Sequence, residues 1–220
     1  MFPHERCSFA VVKFSLWAGN RAWPEIVDLT AYVESVGWHG FWLPDHYMSQ
    51  TGDDSSGTEP ALDCWTVLAA VAVAVPNLRL TSMDSPVTIH HPVVLAKRVV
   101  TVDQISNGRA VFGLGAGWQV NERFMAACEK EGRDPATIRR SEQALVYITD
   151  SDSKREELLA KVNSERAIVS PAEIVDVMSQ YADAGLDEFA LPDFNLGASS
   201  AKRRETIERF HEEVVSKVST

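Results

Sequence analysis

The chain has 220 residues, 45% hydrophobic and 24% charged, with a formal net charge of −10. That length suffices for one substantial core. The acidic balance argues against nonspecific nucleic-acid binding, which draws on clustered Lys and Arg. The longest apolar run, Val67 to Val75, falls well short of the roughly 20 residues of a membrane span.

The opening residues, Met1 to Arg6, lack the charged-then-apolar layout of a signal peptide. Cys7, Cys64 and Cys128 are odd in number and widely spaced, so neither a disulfide framework nor a zinc site is suggested. Buried small side chains are the expectation for all three, in a cytoplasmic protein.

Ser8 to Ser15 reads as a short buried strand. Pro24 to Val36 is helical, with Pro24 in its first turn, Ile26, Leu29, Val33 and Val36 on one face, and Gly37 as the C-cap candidate. Gly40 to Leu43 is a second strand, followed by a polar loop from Ser49 to Glu59. An alanine-rich helix, Pro60 to Val75, leads to a third strand, Leu78 to Ser82. A third helix, Pro92 to Ser106, turns through Asn107, Gly108 and Arg109 into a fourth strand, Ala110 to Leu114.

Beyond Trp118 the pattern predicts a helix over 122–131, a strand over 143–148 and a charged helix over 154–163. A capping box at Ser170 and Glu173 opens another helix, which ends near Gly185. Glu188 to Leu191 is the last strand, and an amphipathic helix over 200–217 closes the chain. Strands separated by helices of this length indicate βαβ units and a parallel sheet.

Three stretches at strand ends carry the chemistry-bearing residues. Asp45 and His46 follow the second strand directly, an acidic neighbour beside an imidazole suited to proton transfer; an Asp-capped turn with a structural His is the alternative. Ser82, Met83, Asp84, Ser85 and Pro86 follow the third strand. Gly113, Gly115 and Gly117 close the fourth, where glycine allows backbone to approach a flat ring, or simply packs the strand end. The glycine spacing fits neither the dinucleotide fingerprint, whose third glycine would fall on Trp118, nor a P-loop. His90 and His91 precede Pro92, with no HxH or HExxH spacing, and read as structural rather than as metal ligands.

The run from His90 to Trp118, with what precedes and follows it, resembles the bacterial-luciferase-like family of flavin- and deazaflavin-dependent oxidoreductases. The resemblance implies an α/β fold, a parallel (β/α) TIM-type barrel, here shortened to about six strands. It implies one domain over residues 1–220, the first half of the barrel over 1–122 and its end over 123–220. By resemblance His46 is the proton-transferring residue, and Asp45, Ser82, Met83, Ser85, Gly115, Gly117 and Asn121 line the cofactor. The resemblance also places a non-proline cis peptide at Ser82–Met83. Trp118 stands where the sugar-phosphate dehydrogenases of the family carry a Glu, which disfavours that substrate class.

The implied cofactor is coenzyme F420, or FMN in its place, and the implied partner a small organic substrate, with a homodimer as a further possibility. No second glycine-rich phosphate loop occurs between Glu122 and Gln143, so weak cofactor binding, or its loss, is expected. A non-catalytic relative that serves as a binding or accessory protein stays open beside the enzyme, as does, more remotely, a metal-dependent barrel enzyme. The fourth strand and the one over 143–148 are expected to be neighbours, closing the smaller barrel.

Overall fold

The computed structural model describes residues 12–19, 21–46, 61–86, 90–115, 128–134, 139, 141–161, 170–183 and 186–218. The strands are β1 (Lys13–Trp17), β2 (Gly40–Leu43), β3 (Arg79–Pro86), β4 (Ala110–Gly115), β5 (Ser141–Gln143) and β6 (Glu188–Pro192). The α-helices are α1 (Trp23–Ser35), α2 (Cys64–Ala74), α3 (Pro92–Ser106), α4 (Asp152–Lys161), α5 (Pro171–Asp183), α6 (Ser200–Phe210) and a short α7 (Ser216–Val218). The sheet order is β4-β3-β2-β1-β6-β5, and the ladders β1–β2, β2–β3, β3–β4 and β5–β6 are all parallel.

The chain divides into two compact units, Ser15–Ile138 on one hand and Met1–Phe14 with Arg139–Thr220 on the other. β1 is shared between them. The first unit is a run of βα units. In α1, Pro24 sits in the first turn, where its missing N–H costs nothing, and Ile26, Leu29 and Val33 are buried. Gly37, at φ 79°, ends that helix in the left-handed region. α2 starts at an N-cap: the Asp63 carboxylate accepts from the Thr66 backbone N–H at 2.9 Å and from its hydroxyl at 2.6 Å. α3 buries only Leu95, Val102 and Ser106 and ends at Asn107, at φ 55°.

Arg109 ties the amino-terminal side of this unit together. Its guanidinium donates to the carbonyls of Ala72, Val75 and Leu78, and its Nε to Ser106 O, at 2.7–3.0 Å. These acceptors are the last turns of α2 and α3 and the residue before β3, where carbonyls lack helical partners.

In the second unit Phe14 packs edge-on against Phe189 and Phe210, with ring centroids 6.3 and 5.6 Å apart. Ile174, Met178, Ile207 and Val214 are buried in the same unit. At the start of α5 the Ser170 hydroxyl accepts from the Glu173 N–H at 3.3 Å and donates to its carboxylate at 2.8 Å, so Ser170 caps the helix as expected and the Glu173 carboxylate pairs with the capping hydroxyl. Arg209 bridges Asp150 and Glu213.

Three expectations need correction. The strand expected over 143–148 is instead β5, Ser141–Gln143, paired Ser141 to Glu188 and Gln143 to Ala190. Past its end Ala144 and Val146 are still buried, and Val146 adds an isolated bridge. β4 and β5 stand at opposite ends of the sheet order rather than side by side, because their ladders go to β3 and β6. The closing helix is not continuous: a π-helical turn, His211–Val215, separates α6 from α7.

Candidate functional site

The site is built at the carboxyl ends of β2, β3 and β4, within the unit Ser15–Ile138. Along β3 and β4 the register pairs Ser82 with Phe112 and then Ser85 with Leu114. Three steps on β3 thus oppose two on β4, a bulge that adds one residue. The non-proline cis peptide lies inside it, at Met83–Asp84. The expected position, Ser82–Met83, is one bond too early. The reason is the ladder: Ser82 is still in register with β4, and the extra residue follows it.

The bulge leaves no room opposite it. A Cβ built on Gly113 would lie 2.0 Å from the Ser82 carbonyl oxygen and 2.9 Å from an Asp84 carboxylate oxygen. Only glycine fits there. The Ser82 hydroxyl lies 3.2 Å from Gly113 N and 3.3 Å from its carbonyl oxygen, accepting from the one and donating to the other.

A buried hydrogen-bond chain crosses the ends of these strands. The Trp65 indole donates to the Ser85 hydroxyl at 3.0 Å, and Ser85 donates to Asp45 Oδ2 at 2.7 Å. His90 Nε2 lies 2.7 Å from the same Asp45 oxygen. Ser85 is 0%, Asp45 5% and His90 8% exposed. An indole N–H can only donate, so the chain runs one way from Trp65 to the carboxylate, where the His90 bond also converges. Next to it the Cys64 thiol donates to Leu43 O at 3.4 Å. Burial, with the charges of Asp45 and Asp63 adding to it, pushes that thiol's pKa well up, so it is held as a neutral thiol.

The predicted residues thus separate into two environments. His46 is exposed, Met83 is half-buried, and Asp84 is exposed. Asp45, Ser82 and Ser85 are buried, and Asp45 and Ser85 bond each other. Gly115 ends β4, opposite Pro86. Gly117 and Asn121 lie outside the described residues. Burial raises the pKa of the Asp84 carboxyl; although the side chain as a whole is exposed, its carboxylate lies close over Gly113.

Two members of the chain, Trp65 and His90, are not assigned to the site from sequence; Trp65 falls within the helix expected over Pro60 to Val75, and His90 reads as a structural histidine. No local signal in the sequence marks them, because the burial of Asp45, which makes donors necessary, is a property of the fold. Among the described residues no three His, Cys, Asp or Glu side chains converge to hold a metal ion, and no helix is long and apolar enough to cross a membrane.

Residues 7–127 match the family described as luciferase-like monooxygenase. Limonene 1,2-monooxygenase of Rhodococcus erythropolis is 29% identical over 121 residues, 55% of this chain and 28% of that protein. The F420-dependent glucose-6-phosphate dehydrogenase of Amycolatopsis mediterranei is 29% identical over 99 residues, 44% of this chain and 28% of that protein. The matched stretch therefore spans little more than a quarter of either relative. Among solved structures, an F420-dependent secondary alcohol dehydrogenase in complex with an F420–acetone adduct superposes with a TM-score of 0.71 at 10% identity, covering 92% of this chain and 99% of that one. At that identity the likeness establishes the fold, an α/β structure of the (β/α)-barrel type with six parallel strands.

Proposed function

The chain belongs to the luciferase-like monooxygenase family, and we propose that it is an oxidoreductase of that family, using coenzyme F420 or, in its place, FMN on a small organic substrate. The observation that supports this reading most directly is the glycine-backed bulge at Ser82–Ser85, bonded through Ser85 to Asp45, the residue before the exposed His46. F420 is preferred because a curated relative is named as F420-dependent and because the Asp45-His46 pair resembles that branch of the family.

The residues present suit the ring portion of such a cofactor. The bulge backbone at Met83 and Asp84 and the end of β4 at Gly115 would hold such a ring; by resemblance Gly117 and Asn121 would contact it as well. Bound there, the cofactor would supply hydride transfer, chemistry that no side chain of this protein can perform. The protein contributes placement and protons. His46, exposed at the end of β2, is the group that gives or takes a proton at its imidazole. Asp45 and Ser85 keep the loop after β2 and the bulge in fixed relation. The sequence between Glu122 and Gln143 carries no second glycine-rich phosphate loop, and the net charge of −10 gives an anionic tail no general attraction, so binding is expected to be micromolar or weaker.

A second reading, a non-catalytic relative acting as a binding or accessory protein, draws support from the burial of Asp45 and Ser85, which leaves fewer groups to contact a ring. Titration of the purified protein with F420 and with FMN, followed by absorbance and fluorescence, separates the two. Saturable binding of either, with turnover lost in His46→Ala at saturating cofactor, supports the enzyme. No binding of either at millimolar concentration supports the second reading.

We also place a homodimer contact on the outer face of α3, which exposes Val93 and Val100 at 69% and 57% together with Val94 and Ile105. Apolar side chains grouped on a surface mark association sites.

A further inference from the structure

Asp45 is the meeting point of two donors from different parts of the fold. Ser85 comes from the end of β3, and His90 from the N-cap side of α3, immediately before His91. Their separations from Asp45 along the chain are 40 and 45 residues. A carboxylate at 5% exposure needs such partners, because a buried charge without donors is strongly unfavourable. Asp45 immediately precedes His46, which is exposed. Whatever fixes Asp45 therefore fixes the backbone that presents His46.

We propose that His90 is a positioning residue: through Nε2 it clamps Asp45, and with the Trp65–Ser85 arm it sets where His46 stands relative to the Met83–Asp84 bulge. It touches neither substrate nor cofactor. Its contribution is geometric, since charge-assisted hydrogen bonds are short and directional and a site loosened by about 1 Å loses much of its effect. The hydrogen-bond chain is an observation independent of the proposed oxidoreductase function; the consequence for cofactor binding rests on that reading.

The chemistry of the clamp selects the variants. Glutamine carries its amide nitrogen about as far along the side chain as Nε2 of histidine, whereas asparagine carries it near the Nδ1 position. His90→Gln should therefore keep a donor on Asp45, while His90→Asn and His90→Leu should not. The first readout needs no cofactor: the indole N–H resonance of Trp65, assigned with Trp65→Phe, in a two-dimensional proton–nitrogen spectrum of the full chain. Trp65 is bonded to Ser85, and the described hydrogen bonds connect it to His90 by way of Ser85 and Asp45. The second readout is the dissociation constant for F420 and for FMN.

In His90→Leu and His90→Asn the Trp65 resonance should shift while the other indole resonances stay, and cofactor affinity should fall about tenfold, the scale of one charge-assisted hydrogen bond. His90→Gln should restore both to near the wild-type values. A Trp65 resonance that responds to Ser85→Ala but to no change at His90 would overturn the clamp, as would an affinity equal in Gln, Asn and Leu variants. If His90→Leu fails to fold, the Gln and Asn pair still decides. If wild type binds neither F420 nor FMN, the proposed function fails, and the Trp65 resonance still tests the clamp.

Discussion

Replacing Arg109 by methionine should cost stability and leave ligand affinity alone. The guanidinium makes four bonds to main-chain carbonyls, Ala72 and Leu78 at 2.7 Å, Val75 at 3.0 Å and Ser106 at 2.7 Å. A hydrogen bond to a charged group contributes about 1.5–3 kcal/mol, so four counted separately would give about 6–12. That sum overstates the loss. Arg109 is half-buried, the freed carbonyls at helix ends can recover water, and bonds sharing one cation are not independent. About 2–4 kcal/mol is the expectation, which for 150–250 residues corresponds to a melting point lower by about 4–16 °C.

Arg109→Lys should recover less than half, because a point-like ammonium cannot span three carbonyls held by a planar fork. Burial lowers the Arg109 pKa, with Glu34 opposing that shift; the group remains charged in the working range, so the loss should not vary between about pH 5 and 9. Urea unfolding followed by tryptophan fluorescence measures it. A cost below about 0.5 kcal/mol for Arg109→Met, within the range of an ordinary surface change, would refute the reasoning.

Three further outcomes follow from the same structure. Asp63 is partly buried, which by itself raises its carboxyl pKa, but the Thr66 hydroxyl and N–H, then Arg98 and His90, outweigh that and hold it below the usual range. A lowered folded-state pKa gives stability that is present above the ordinary Asp pKa of 3.8 and lost as pH falls through the lower folded value. Asp63→Ala should cost about 1 kcal/mol at neutral pH and remove that acid-dependent component in unfolding curves from pH 7 to 3. Asp84 has the opposite sign, its pKa raised by burial, so its ionisation works against folding as pH rises through the folded value; Asp84→Asn should be no less stable than wild type at pH 7, and a clear loss there would count against this. Val100→Asp, placed on the exposed face of α3, should convert a dimer to a monomer by light scattering without lowering the melting point of the monomer; a wild type that is already monomeric at 100 μM, about a hundred times a micromolar dissociation constant, would remove the proposed contact.

How much of this was legible in sequence depended on how local the cause was. The bounds of α3, Pro92–Ser106, follow from neighbours: Pro92 at the first position and an Asn-Gly pair that accepts positive φ. The βα alternation of the first unit was readable for the same reason, since each helix carries its own start and stop. The extent of β5 is not local: its ladder depends on β6, more than forty residues away. The cis bond was placed one residue early by the same limit: Ser82 belongs to the ladder because Phe112 pairs with it, and nothing near Ser82 in the chain says so.

The site divides along that line too. Asp45 and His46 stand out in the sequence as a pair directly after the second strand. Their environments differ, one buried and one exposed, and a motif read as letters cannot separate them. The bond from Ser85 to Asp45 spans 40 residues and the bond from His90 spans 45, so the evidence that Asp45 is already occupied exists only in three dimensions. This changes what the pair can do. Both donors sit on Oδ2, which fixes the orientation of the Asp45 carboxylate and of the backbone beside it, while its other oxygen keeps its acceptor capacity. In the function we propose His46 carries the proton transfer, and the clamp we propose at His90, a residue whose sequence context suggests only a structural role, sets its precision.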